Sequence, residues 1–114
     1  MTQVTRDQTL VNRMVELGQL TPKEAVGHPA SNEVLQAIGT RTTIEPAHYK
    51  LQLVPGDWLL VACDGLHVQV DDRSLQAMVS KAPPSAALLA NRLVDMADQS
   101  GGADNCTVVA VRCY

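Results

Sequence analysis

Apolar positions along the first fifty residues come in short groups with helical spacing. Leu10, Val11, Met14, Val15 and Leu17 recur at a period that predicts a helix, with Gly18 as its stop and Asp7 as a candidate cap. Thr21-Pro22-Lys23-Glu24 opens a second, shorter helix: Thr21 caps it, Pro22 takes the first helical position, and Glu24 completes a capping box. Gly27-His28-Pro29 ends that helix. Thr2 to Thr5 is a β-prone piece, and Glu33 to Ile38 reads as a strand or a short extended segment ended by Gly39. Ile44 to Pro46 is loop.

The pattern changes at residue 49. Tyr49 to Leu53 alternates apolar and polar, as a half-exposed strand does. A Pro55-Gly56-Asp57 turn then leads into an unbroken apolar run, Trp58 to Cys63, and the pair predicts a hairpin whose second strand is buried on both faces. That run stops on Asp64, with Gly65 allowing a sharp turn. Asp71 or Asp72 can cap a helix carrying Leu75, Met78 and Val79. Pro83-Pro84 breaks it, and Ser85 starts a longer helix to about Gln99 with an apolar stripe of Leu88, Leu89, Leu93, Val94 and Ala97. Ser100 to Ala103 is a flexible loop, and Cys106 to Val111 is a second buried strand. No internal repeat, low-complexity tract or linker interrupts the chain. The expectation is one compact α+β domain over residues 1–114.

Composition narrows the class. The chain is 46% hydrophobic but only 3% aromatic, with no Phe, so the core is aliphatic. Nine basic residues against 12 acidic ones give a net charge of -3, which argues against nucleic acid or an anionic membrane as partner. There is no leader-like start and no apolar run long enough to span a bilayer. Cys63, Cys106 and Cys113 are odd in number and lack CxxC spacing, so neither a disulfide framework nor a zinc site is expected. A reducing cytoplasm suits them. His28 and His48 sit in loop-like surroundings and Trp58 opens a buried strand, which makes all three packing or surface residues. Lys81, Arg92, Asp95 and Asp98 form a solvated helix face.

Three carboxylates stand out. Asp64 ends one apolar strand, and Asp104 precedes the other. If those strands are adjacent and antiparallel, the two acids share a sheet edge. Asp7 follows the segment Thr2 to Thr5 and reaches the same edge if that segment runs parallel to the central strand. Carboxylates so close repel unless a cation lies between them, and oxygen ligation without His or Cys suits Mg²⁺ or Mn²⁺. Singly, each has a plainer reading: Asp64 as a turn residue, Asp104 as part of a loop, Asp7 as a helix cap.

The same residues resemble a family. Val61-Ala62-Cys63-Asp64-Gly65-Leu66 is similar to the SDG or CDG motif of metal-dependent type 2C protein phosphatases of the bacterial type. Gly101-Gly102-Ala103-Asp104-Asn105-Cys106-Thr107-Val108-Val109 is similar to their closing GGxDNxTxxxV motif, and Thr5 to Val11 resembles their TxDHSLV segment. Leu20 to Ala25, His28-Pro29, Leu35 to Gly39 and the Pro55-Gly56-Asp57 turn fall in register between them. The resemblance implies part of an α-β-β-α sandwich with antiparallel sheets and a metal cluster at one edge. It implies that Asp64 and Asp104 hold one metal of a binuclear centre, and that Asp7 with Asp64 holds a third metal. Asn105 would orient the loop. The implied reaction is hydrolysis of phosphoserine or phosphothreonine in proteins by a metal-activated water.

The departures are equally specific. The N-terminal acidic motif, the DGxGG motif with its bridging Asp and the phosphate-gripping Arg of the family are absent from these 114 residues. Gln8 stands where the family often has His, and Gln36 where bacterial members often have Arg; His67 and Val68 stand where Trp or Thr and then Asp are common. Met1 falls within what should be a strand. The expectation is therefore the C-terminal part of a catalytic domain, with little activity alone. The two apolar strands need covering on both faces and the helices of these residues can cover only one, so a complementary N-terminal half or a second copy is the expected partner besides phosphoprotein substrates. The competing reading is a non-catalytic, truncated module that acts by binding or self-association; a Mg²⁺-binding domain of unrelated chemistry is the remaining alternative.

Overall fold

The computed structural model describes residues 1–114, and its contacts divide the chain into two compact units rather than the single piece expected: Thr2–Lys50, and Leu51–Tyr114 with Met1. Both mix irregular segments with regular elements, and the only extended sheet is in the second.

In the first unit, α1 (Leu10–Glu16) is capped by Thr9, not by Asp7: Thr9 Oγ1 accepts the Asn12 N–H at 3.2 Å. Asp7 supports the same turn through its main chain, its carbonyl accepting from Asn12 Nδ2 at 2.9 Å. The next helix, α2 (Pro22–Ala25), has the capping box its sequence predicts, with Glu24 Oε2 accepting the Thr21 N–H at 2.8 Å. Neither Thr2 to Thr5 nor Glu33 to Ile38 forms a strand. Residues 33–35 touch residues 8–10 through a single bridge, Thr9 to Val34, flanked by bonds from Leu10 N–H to the Glu33 carbonyl and from Leu35 N–H to the Gln8 carbonyl. Too few residues pair to extend a ladder. Val11 is the one buried apolar residue of this unit.

In the second unit, β1 (Trp58–Ala62) is followed by α3 (Asp64–His67), α4 (Asp72–Ser80), α5 (Ala86–Gln99) and β2 (Val108–Arg112). Sequence patterning places α4 and α5 well: Asp71 and Ser85 are the caps, accepting the Ser74 and Leu88 N–H groups. The apolar stripe of α5 is shifted from the expected one. Leu89, Leu93 and Ala97 are buried, whereas Leu88 is half exposed.

The hairpin expected at Pro55-Gly56 does not form. Val54 to Asp57 closes a turn with Gly56 at φ +100°, a Pro-Gly geometry that splays flanking strands instead of matching their twist. Tyr49 to Leu53 is left without strand pairing, and β1 takes β2 as its partner across more than forty residues. The pairing is antiparallel, Trp58 opposite Arg112 through Ala62 opposite Val108. The pattern of alternation then separates two faces. Trp58, Leu60, Val108 and Ala110 pack on the core of Leu66, Val70, Leu75, Leu89, Leu93 and Ala97. Leu59, Val61, Val109 and Val111 share the opposite face, where the three valines are 44–59% exposed. The expectation of strands buried on both faces is met on one face only, because all the helices of this unit that meet the sheet do so from one side. Arg112 closes the far end, its guanidinium 5.4 Å from the Trp58 ring and 5.2 Å from that of Tyr114.

Candidate metal centre

Asp64 is the first residue of α3, and Asp104 lies in the loop that feeds β2. The antiparallel register carries on past Ala62, where Cys63 N–H bonds to the Thr107 carbonyl at 3.2 Å. The Cys63 thiol extends the seam. Its Sγ accepts the Thr107 N–H at 3.2 Å and donates to the Asn105 carbonyl at 3.3 Å, so one side chain grips the loop on either side of Cys106.

Gly65 completes the junction, for a reason different from the expected turn. It lies in the first turn of α3 without a positive φ, but a Cβ there would sit 2.1 Å from the Asn105 carbonyl oxygen and 3.3 Å from the Cys106 Cα. Glycine is required by close approach of two backbones. Asp64 and Asp104 are each one residue from this contact, at opposite sides of it. The strand adjacency that the sequence argument needed is present, and the two acids lie at the same end of the sheet.

Both carboxylates are exposed, and neither has an ion-pair partner. Asp104 Oδ1 accepts the Asn105 N–H at 2.7 Å, which fixes the carboxylate relative to the loop and leaves its second oxygen unengaged. The Asn105 main chain takes part in the junction, its carbonyl accepting from Cys63 Sγ and lying against Gly65. A pair of exposed, hard oxygen donors fits Mg²⁺ or Mn²⁺ better than a thiophilic ion. No group of three or more His, Cys, Asp or Glu side chains in the chain is placed to hold a metal ion. Two carboxylates alone make a weak site.

Asp7 belongs to the Thr2–Lys50 unit. It is exposed, and its Oδ1 accepts from Gln3 Nε2 at 3.0 Å. His67 and Val68 are exposed at the end of α3, and no polar partner is bonded to the imidazole. Cys106 packs against the core, and its thiol pKa is raised by that burial first, then by Cys63 and Asp98 nearby.

Sequence reasoning missed two features. One is the Cys63 clamp, for which the only signal was its position beside Asp64. The other concerns Gln8 and Gln36, which stood out as two separate departures. They are partners: Gln36 Nε2 donates to Gln8 Oε1 at 2.7 Å and to the Glu45 carbonyl at 2.8 Å, while Gln36 Oε1 accepts the Glu45 N–H at 2.9 Å. No helix in the chain is long and apolar enough to cross a membrane.

Comparison with known proteins places these features. No model of a known protein family matches the chain. It is 38% identical over 109 residues to protein phosphatase PhpP of Streptococcus pneumoniae, covering 96% of this chain and 44% of that protein. It is 36% identical to the serine/threonine protein phosphatase PstP of Mycobacterium tuberculosis, covering 96% of this chain and 21% of that one. Among solved structures, the serine/threonine phosphatase of S. agalactiae superposes with a TM-score of 0.87 at 34% identity, over 96% of this chain and 45% of its own. The catalytic domain of PstP in complex with two manganese ions superposes at 0.74 with 32% identity, over 99% of this chain and 46% of its own. The chain thus spans less than half the length of these relatives.

Proposed function

The chain belongs to the type 2C protein serine/threonine phosphatases, as the C-terminal portion of their catalytic domain, and from that premise we propose that it contributes one half of a divalent-cation site for hydrolysis of phosphoserine and phosphothreonine in proteins. One observation carries the reading: the close approach of Gly65 to Asn105, which puts Asp64 and Asp104 at the two sides of one backbone contact. Asp64 and Asp104 would hold one Mg²⁺ or Mn²⁺ between them. Bound there, such ions supply charge neutralisation for the phosphoryl group and an acidified water. The protein's own part is to hold the acceptors. Asn105 N–H holds one oxygen of Asp104, leaving the other for a cation, and the Cys63 clamp keeps that loop against the start of α3. The free cysteines support a reducing, cytoplasmic setting.

Titration of the chain with Mn²⁺, followed by water-proton relaxation, tests the pairing. Asp64→Asn and Asp104→Asn should each weaken binding at least about tenfold, and the double variant should be little weaker than either, because both acids serve one ion. Additive losses, or no loss, would refute the shared site. These residues include no DGxGG motif, so p-nitrophenyl phosphate turnover by the chain alone should be close to background. Robust turnover abolished by Asp64→Asn would overturn that.

The exposed sheet face of Leu59, Val61, Val109 and Val111 favours association as part of the same function. We assign it to a complementary polypeptide carrying the rest of the catalytic domain, with self-association as the competing outcome. Val61→Lys should abolish whichever association sedimentation detects.

A further inference from the structure

Cys63 stands where β1 ends and α3 begins, and its main chain cannot serve both elements in full. In a hydrogen-bonded antiparallel pair, each residue's N–H donates to the other's carbonyl. Cys63 and Thr107 continue the register past Ala62 and Val108, and one half of that exchange is present: Cys63 N–H donates to the Thr107 carbonyl at 3.2 Å. The main chain does not make the other half. The Cys63 carbonyl accepts the Leu66 N–H at 3.2 Å instead, at the start of α3. The Thr107 N–H is left for the thiol, whose Sγ accepts it at 3.2 Å. The side chain stands in for a carbonyl that the helix has taken.

Two further observations set this thiol apart from a merely packed cysteine such as Cys106, which lies against the core. Cys63 is the N-cap residue of α3, where a polar side chain ordinarily accepts from the first turn of its own helix, yet it makes no such bond. Its remaining capacity also goes across the seam, the S–H donating to the Asn105 carbonyl at 3.3 Å. Asp64 follows Cys63 directly, and Asn105 follows Asp104 directly. The thiol therefore ties the residue before one acid to the residue after the other.

We propose that Cys63 is a positioning residue of the cation site: through Asn105 and Thr107, its thiol sets the loop that carries Asp104 relative to Asp64, the first residue of α3. The inference rests on the shared-cation reading above, whereas the exchange of hydrogen-bond partners at Cys63 stands independently of it. The position calls for a small side chain that accepts from one main-chain group and donates to another. Ser meets that requirement and Ala does not. The effect is bounded by the bonds involved, since a hydrogen bond of modest net strength corresponds to a change of about three- to tenfold in an equilibrium constant.

Two measurements on the whole chain test it. In EDTA, amide hydrogen exchange at Thr107 should be several-fold faster in Cys63→Ala than in the parent, with α5 and the rest of the β1–β2 ladder unchanged, and Cys63→Ser should recover most of the protection. In the Mn²⁺ titration, Cys63→Ala should weaken binding about three- to tenfold, and Cys63→Ser should restore most of the loss. Unchanged exchange at Thr107 in Cys63→Ala would overturn the proposal. So would faster exchange along the whole ladder, which marks general destabilisation, or faster exchange at Thr107 with unaltered Mn²⁺ affinity. The exchange measurement contains no metal, so failure of the clamp is separable from failure of the shared site, which Asp64→Asn and Asp104→Asn report. If neither of those variants weakens Mn²⁺ binding, the positioning role falls with the site.

Discussion

Gly65 and Asn105 show how much one contact decides at the scale of single residues. An added methyl group at residue 65 would lie 2.1 Å from a main-chain oxygen, and neither backbone can yield without shifting the seam. Gly65→Ala is expected to destabilise the chain by about 1–3 kcal/mol, as overpacking does, and to weaken Mn²⁺ binding as well. Urea unfolding and the relaxation titration measure the two effects. Cys106 makes a second residue-scale case. Its raised pKa means less thiolate at neutral pH, so it should react with iodoacetamide more slowly than the same thiol in the urea-unfolded chain. Gln8 and Gln36 carry a different lesson. Read one at a time they are two unexplained departures from a family pattern; in three dimensions each satisfies the other. Replacing Gln36 alone should therefore loosen Glu45 as well as Gln8.

At the scale of elements, the caps were legible because they are local. Thr21 with Glu24, Asp71 with Ser74 and Ser85 with Leu88 are each settled within one helical turn. Their electrostatics give a pH signature. Hydrogen bonds to Ser74 hold the Asp71 carboxyl below its ordinary 3.8, and bonds to Thr21 hold Glu24 below 4.5. Folded values below the unfolded ones mean that both contribute stability above the ordinary values and lose it as pH falls through the lowered ones. The thermal midpoint of Asp71→Asn, whose cap does not titrate, should accordingly change less between pH 5 and pH 3 than that of the parent chain. The hairpin failed for a reason that was also local but easily overlooked. Pro55-Gly56 makes a turn that opens strands apart, and this freed β1 to pair at long range. Within α5 the helix period was plain, but which stripe faces the core depends on where α4 and the sheet lie. Leu89→Ala or Leu93→Ala should cost about 2–5 kcal/mol by urea unfolding, whereas Leu88→Ala should cost much less.

For the molecule as a whole, the two units differ in how much they bury. Six of the seven buried apolar residues belong to the Leu51–Tyr114 unit, and only Val11 to the other. Hydrogen exchange of the full chain should thus be slowest in α5 and along the β1–β2 ladder, and fast through most of residues 2–50. Uniform protection across both units would contradict this.

What this amino-acid string determines by itself is local: helix starts and stops, the aliphatic character of the core, and the two motifs that place an acid at the end of one strand and before another. Those follow from interactions within a few residues, which spacing and residue type express directly. The tertiary structure alone decided that β1 takes β2 and not its sequence neighbour, that Gly65 is needed for close approach, that two glutamines form a pair, and which face of the sheet remains uncovered. Each of these depends on groups far apart along the chain, and a pairing at long range leaves no mark on the residues near either partner.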